Sequence, residues 1–258
     1  MKEFIIDNHQ RLGFSPIFAK VTKGEEAFLP GCSFMTLGEH IVLETLNILK
    51  LEKSNMAIAT TCCGKPSKYI KNGVKFKKRF NSTIELLKSK GIKKIYTACP
   101  NCYNTFKENK DLKVGSIWSI IDKNFPQDKY DMHKGMKFAL HDPCAARNNS
   151  EDHKAIRSIL TKMGIEILEF KMCREKSICC GKKNMMMVLE PEKGKAILEN
   201  RLKQSPYTSI VTYCASCAHS FKVPGFKSYH IMELIFNEAN GNGWINRLKL
   251  INKLDLSY

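Results

Sequence analysis

Eleven cysteines stand among 258 residues, and ten of them follow one grammar. Cys32, Cys62, Cys63, Cys99 and Cys102 read C-x29-C-C-x35-C-x-x-C. Cys144, Cys179, Cys180, Cys214 and Cys217 read C-x34-C-C-x33-C-x-x-C. Thiolates bind soft metals: zinc, copper(I) or iron–sulfur clusters. A structural zinc ion takes four ligands, usually from two C-x-x-C pairs, so five per set overfill it. A cluster has several metal atoms and can use more thiolates, which suits iron–sulfur ligation. Structural zinc is the competing metal reading. A vicinal disulfide at Cys62–Cys63 or Cys179–Cys180 is another, and it leaves the repeat unexplained.

The surroundings repeat with the cysteines. "TACPNCYNTFKE" (Thr97 to Glu108) aligns without a gap on "TYCASCAHSFKV" (Thr212 to Val223), "FLPGC" on "LHDPC", and "TTCCGKP" on "SICCGKK". Self-similarity at fixed spacing implies an internal duplication, each copy one structural unit.

The elements that must position the thiols are short. "EAFLPG", "NMAIAT", "KKIYTA", "MKFALH", "GIEILEF" and "SIVTY" are apolar runs of strand length, most leading into a cysteine group. Between them lie helical patterns: Val42, Leu46 and Leu49; Ile156, Ile159, Leu160 and Met163; Ile231, Leu234 and Ile235. "VGSIWSIIDKN" and "YHIMELIFNEAN" read as helix-like pieces. Alternation predicts an α/β fold of two repeated units with parallel sheets. The cysteines then fall at the carboxyl ends of strands, where such sheets gather their sites. The expected organisation is an N-terminal arm over 1–25, repeats over 26–125 and 136–240, and a C-terminal helix over 241–258.

Composition narrows the class. A net charge of +17 favours acidic partners, but no nucleic-acid-binding motif accompanies it, so nucleic acid is not expected. No apolar run reaches the roughly 18 residues of a membrane helix, and the charged start "MKEFIIDNHQ" does not read as a signal peptide. A cytoplasmic chain without membrane insertion is the expectation. There, an odd number of cysteines argues for metal or redox chemistry over a disulfide framework.

At "PGC" (Cys32), "TCCG" (Cys62 to Gly64), "CPNC" (Cys99 to Cys102), "HDPC" (His141 to Cys144), "CCG" (Cys179 to Gly181) and "CASC" (Cys214 to Cys217), the chain resembles the cysteine-rich (CCG) domain family. That domain is found in the B-type polypeptide of heterodisulfide reductase and in iron–sulfur subunits of glycolate, lactate and glycerol-3-phosphate oxidising systems. The resemblance implies two noncubane [4Fe-4S] clusters, one on each five-cysteine set. It also implies reduction of a small disulfide, or heterodisulfide, to two thiols. Because the chain lacks a C-x2-C-x2-C-x3-C-P run, its electrons would come from flavin- or ferredoxin-type partner subunits. The alternatives are an electron-transfer subunit of a flavin-dependent dehydrogenase feeding quinone, and a zinc-stabilised binding module without enzymatic activity.

Other residues have weaker claims. Lys65, Lys68, Arg147, Lys182 and Lys183 lie near ligands in sequence, where cations would raise a cluster's potential. His141 is a candidate proton donor, with loop ordering as its structural alternative. Cys173 has no counterpart in the first copy and reads as a buried thiol, with a substrate-facing role left open. Met185 to Met187 read as helix core. Pro30 and Pro143 fix the chain's direction into the site, and Gly64 and Gly181 allow a bend.

Overall fold

The computed structural model describes residues 1–238 and 243–254. The edges of the expected terminal helix, 241–242 and 255–258, lie outside the described residues. The chain divides into two compact units.

The first unit begins with helix α1 (Lys2–Gly13). It continues through β1 (Glu26–Leu29), α2 (Glu39–Lys50), β2 (Ala57–Ile58), α3 (Val74–Ser89), β3 (Lys94–Thr97), α4 (Pro100–Lys107) and β4 (Lys113–Ser116). Its strands form one parallel sheet in the order β2-β1-β3-β4. The short strand β2 is extended by an antiparallel bridge, Val21 to Ala59, so the segment after α1 covers that edge.

The second unit runs α5 (Trp118–Lys123), β5 (Lys137–His141), α6 (Ser150–Lys162), β6 (Glu166–Glu169), α7 (Met186–Leu189), α8 (Pro191–Leu202), β7 (Ser209–Thr212), α9 (Ala215–Ser220), β8 (Lys227–His230) and α10 (Ile231–Ile235). Its parallel sheet has the order β6-β5-β7-β8, the same permutation as the first. The expected α/β duplication is therefore the observed one. Helix α11 (Gly243–Lys253) returns to the first unit and packs on α2 and the turn Phe34–Thr36.

The apolar runs form central strands because both faces of a parallel sheet are covered. Ala27, Leu29 and Ile95 sit in the first unit's core, and Ala139 and Ile210 in the second's. Two of the four edge strands, β4 and β8, fall where the sequence suggested only helix. Their residues, "KVGS" and "KSYH", carry the polar character of a half-exposed edge.

Candidate functional site

In each sheet the strand order reverses between two neighbours, β1 and β3 or β5 and β7. In open α/β sheets, sites gather at the carboxyl ends at such a reversal. Leu29 pairs with Thr97 at the end of β1 and β3, and His141 with Thr212 at the end of β5 and β7. Cys32 and Cys99 follow the first pair, Cys144 and Cys214 the second. Each C-x-x-C opens a helix: Cys99 caps α4 and Cys214 caps α9, both with extended backbone. Pro100 in the first turn of α4 needs no N–H partner. The chain then carries Cys102 and Cys217 back over the core.

The adjacent cysteines arrive from the outer strand. Gly64 and Gly181 follow them with φ of +72° and +90°, turns that side chains strain to make. The Gly64 N–H donates to Cys62 Sγ at 3.4 Å, and the Gly181 N–H to Cys179 Sγ at 3.2 Å. Cys179 also receives the Lys183 N–H at 3.3 Å. The second copy's longer first spacing is taken up after β6, in a loop that holds Cys173, Arg174 and Ser177.

The structure brings all ten thiols together as two strings of five with one order. In the first unit thiol contacts of hydrogen-bonding kind run from Cys32 to Cys62, Cys63, Cys102 and Cys99 in turn. In the second they run from Cys144 to Cys179, Cys180, Cys217 and Cys214 in turn. All are free thiols. Among the described residues, no group of three or more His, Cys, Asp or Glu gathers on a single metal ion. A string of five soft donors fits a group with several metal atoms better than one tetrahedral ion.

Proton sharing along the strings polarises them. Hydrogen bonds from Cys102 and then Cys62 draw the Cys63 thiol down to about 5. Those from Cys144 and Cys180, with the two backbone N–H groups, draw Cys179 down to about 2. Cys217 draws Cys214 down to about 7. Donation to Cys179 pushes Cys180 up to about 12, and donation to Cys62 and Cys179 raises Cys32 and Cys144. Burying five thiolates side by side demands compensating positive charge, and a metal core supplies it while displacing the protons.

The loop after β5 is held from below. The buried Asp142 carboxylate accepts both terminal nitrogens of Arg157 at 3.2 and 2.8 Å, the Arg174 N–H at 2.7 Å and the Tyr213 hydroxyl at 3.2 Å. Arg157 also binds Glu169. His141 is buried, and its Nδ1 accepts from Arg201 Nε and Nη2 at 3.1 Å. Burial, aided by the Arg201 charge, holds its pKa at about 3. It is a neutral ring at pH 7, which supports loop ordering over acid catalysis.

Of the cations near ligands in sequence, Lys65 binds Asn101 at 3.0 Å and Lys68 pairs with Glu108 at 3.6 Å. Arg147 donates to the Ser177 carbonyl. Lys182 lies 2.7 Å from His219 Nδ1, and the Lys183 side chain faces solvent. Cys173 stands outside the second string, half-buried beside Arg174 at 3.9 Å. The methionines depart from expectation. Met185 adopts a left-handed φ of +59°, and all three are half-buried. Met187 alone packs against the core cluster, because the tight turn after Gly181 keeps this segment near the surface.

Three residues had no signal in sequence spacing. Gln10 on α1 reaches Cys62 Sγ at 3.6 Å. Arg247 on α11 bonds the Thr60 carbonyl at 3.0 Å, next to the cysteine pair. Arg201 on α8 lies against the second string's loop, its guanidinium 4.2 Å above the Phe170 ring.

The sequence pattern of the cysteine-rich domain (CCG) matches residues 27–107 and 138–222. Among curated proteins, the D-type polypeptide of dihydromethanophenazine:CoB–CoM heterodisulfide reductase from Methanosarcina acetivorans is 23% identical over 234 residues, 83% of this chain and 57% of that one. The probable iron-sulfur-binding oxidoreductase FadF of Bacillus subtilis is 24% identical over 187 residues, 64% of this chain and 26% of its own. The chain thus spans little more than half the length of the first relative and about a quarter of the second. Among solved structures, Picrophilus torridus aspartate racemase aligns over 88% of this chain and all of its own at a TM-score of 0.35 and 11% identity, too low to bear on fold or function.

Proposed function

Since the chain belongs to the cysteine-rich (CCG) domain family, with both cysteine sets inside the matched segments, we propose that it is an iron–sulfur oxidoreductase subunit that reduces a small disulfide with electrons from a partner subunit. The observation that carries this reading is the identical order of thiol contacts in the two units. Cys32, Cys62, Cys63, Cys99 and Cys102 would hold one [4Fe-4S] cluster, and Cys144, Cys179, Cys180, Cys214 and Cys217 the other. When bound, such clusters supply electrons one at a time, and two sites match the two electrons a disulfide takes. The half-reaction breaks the S–S bond, takes up two electrons and two protons, and leaves two thiols. The electrons come from a flavin- or ferredoxin-type subunit.

The chain's own residues hold charge and geometry. The Gly64, Gly181 and Lys183 N–H groups face sulfurs and offset negative charge. Asp142, pinned by Arg157, Arg174 and Tyr213, fixes the backbone that presents Cys144. His141 stays neutral and anchors that loop to α8 through Arg201. The heterodisulfide reductase relatives direct the reading to a disulfide. The FadF relative favours a second one, an electron-transfer subunit with no substrate of its own.

The test is anaerobic purification with iron, sulfide and zinc measured per chain, then EPR and disulfide-dependent oxidation of a reduced viologen dye. About eight irons with matching sulfide and disulfide turnover are expected, two four-iron groups in all. Clusters without turnover favour the electron-transfer reading. Zinc without sulfide sinks the redox reading and leaves a binding module.

A further inference from the structure

The first thiol string is flanked by two helices that lie outside both matched segments of the family, α1 and α11. Each sends one fully buried polar side chain to the Cys32–Cys62 end. Gln10 approaches Cys62 Sγ with its Nε2 at 3.6 Å. Neighbours on both sides hold the amide in place, His9 Nδ1 lying 3.3 Å from Nε2. Ser67 donates to Gln10 Oε1 at 3.2 Å and itself accepts from Arg79 Nη1 at 2.8 Å. Arg79 is held by Asp7 at 2.8 Å. Oε1 also accepts from the Cys62 thiol at 3.9 Å, so both ends of the amide face the sulfur, with Nε2 the nearer. A metal-bound thiolate has no proton to give, and only the N–H would be left for it to accept.

Arg247 closes the same end. Its guanidinium lies 4.9 Å from the centroids of the Phe18 and Trp244 rings, which pack edge to face on each other at 4.8 Å, and donates Nη2 to the Thr60 carbonyl. A Cβ placed on Gly13 would lie 3.8 Å from Arg247 Nη1, 3.6 Å from Cys62 Cβ and 4.0 Å from Cys62 Sγ. The glycine leaves room for cation and thiol to flank one point. Arg247 is 1% exposed, and its Nε has no hydrogen-bond partner among the described residues. The Asp7 carboxylate on α1 is taken up by Arg79 and Lys75, and no carboxylate among the described residues is bonded to Arg247. A buried guanidinium without a carboxylate is costly unless something else supplies negative charge. The thiolate string is the charge in reach.

We propose that Arg247 and Gln10 are positioning residues that raise the reduction potential of the group held by Cys32, Cys62, Cys63, Cys99 and Cys102. This rests on the iron–sulfur reading above. Reduction adds one negative charge to a buried site, and a fixed cation with an N–H donor favours that state over the oxidised one. The first site therefore depends on segments beyond the duplicated unit. The second uses a different device, Arg201 within its own unit acting through His141.

The experiment is an EPR-monitored redox titration of the anaerobically purified, cluster-loaded full chain. Cys63→Ala, which leaves only the second site, assigns the two midpoints. Iron and sulfide are measured on every variant. Arg247→Gln is expected to lower the first midpoint so that the reduced-to-oxidised ratio at a fixed potential falls at least tenfold, about 59 mV for a one-electron couple. The second midpoint stays in place. Arg247→Lys, which keeps the charge, restores most of the shift, as a purely structural role would not. A fully loaded Arg247→Gln protein with an unmoved first midpoint overturns the proposal. Where that variant does not load, Gln10→Glu decides: a downward shift supports the proposal, and an unmoved midpoint overturns it. Wild-type protein without sulfide defeats the iron–sulfur reading, and this proposal with it.

Discussion

Arg79 on α3 holds Asp7 on α1 through a 2.8 Å ion pair that spans 72 positions of sequence. Lys75 adds a second at 2.7 Å. The Lys75 hydrogen bond, with that of Arg79, keeps the Asp7 pKa below the ordinary 3.8. Asp7→Asn should cost at least about 1 kcal/mol at neutral pH, because the Asp7 and Arg79 side chains are both largely buried. A carboxylate with a depressed native pKa contributes fully above its unfolded value and loses that contribution as pH falls through the native one. The variant and wild type should therefore differ at pH 7 and converge as the pH falls through the depressed native value. Chemical denaturation at several pH values measures this, and a difference that persists in acid would argue against it.

Two histidines of the second unit make stability depend on pH through burial instead of pairing. His141 and His230 are both held at about 3 and remain neutral in the folded chain. Once unfolded, each takes up a proton below about pH 6.5. The unfolded state then binds more protons, so stability rises with pH between about 3 and about 6.5 and is complete above it. Each histidine adds about 1.4 kcal/mol per pH unit within that window. His230→Gln should remove one proton's share of the slope measured by urea denaturation between about pH 5 and about pH 6.5. An unchanged slope would count against the assignment.

Gly31 sits under the first C-x-x-C with φ of +86°, and a Cβ there would lie 3.0 Å from Cys99 Cβ and 3.2 Å from Cys102 Sγ. Gly31→Ala should cost about 1–2 kcal/mol from the left-handed backbone alone and also displace the thiols. Gly225, with φ of +84° and nothing within 4 Å, is the control. Both alanine variants should be less stable, but only Gly31→Ala should lower iron content, toward half. Equal iron in the two would sink the claim that this contact shapes the site.

The thiol strings give a cysteine-by-cysteine expectation. Cys63→Ala and Cys180→Ala each break a string at its centre and should each remove about half the iron. Cys173→Ala, outside either string, should leave the iron unchanged. Iron loss in the Cys173 variant would place that thiol among the ligands.

Much of this was legible before any coordinates. The strands leading into Cys32, Cys99, Cys144 and Cys214 are buried on both faces, so they show as unbroken apolar runs. The repeated spacing showed the duplication, while the strand order within each sheet came only with the structure. Of the edge strands, β4 and β8 were not legible because half-exposed "KVGS" and "KSYH" lack that signal. Gln10 and Arg247 were invisible for another reason. Their partners lie 52 and 187 positions away, and no local period encodes a contact made only by tertiary packing. His141 could be read as an acid from its position beside a ligand, and only the depth of its burial and the Arg201 contact show a neutral ring.

The first unit is written discontinuously: its last helix, α11, follows the whole of the second. A chain clipped after residue 238 would keep all five cysteines of each string yet lose Arg247, so the damage would fall on the Cys32–Cys62 end of the site encoded farthest from the cut.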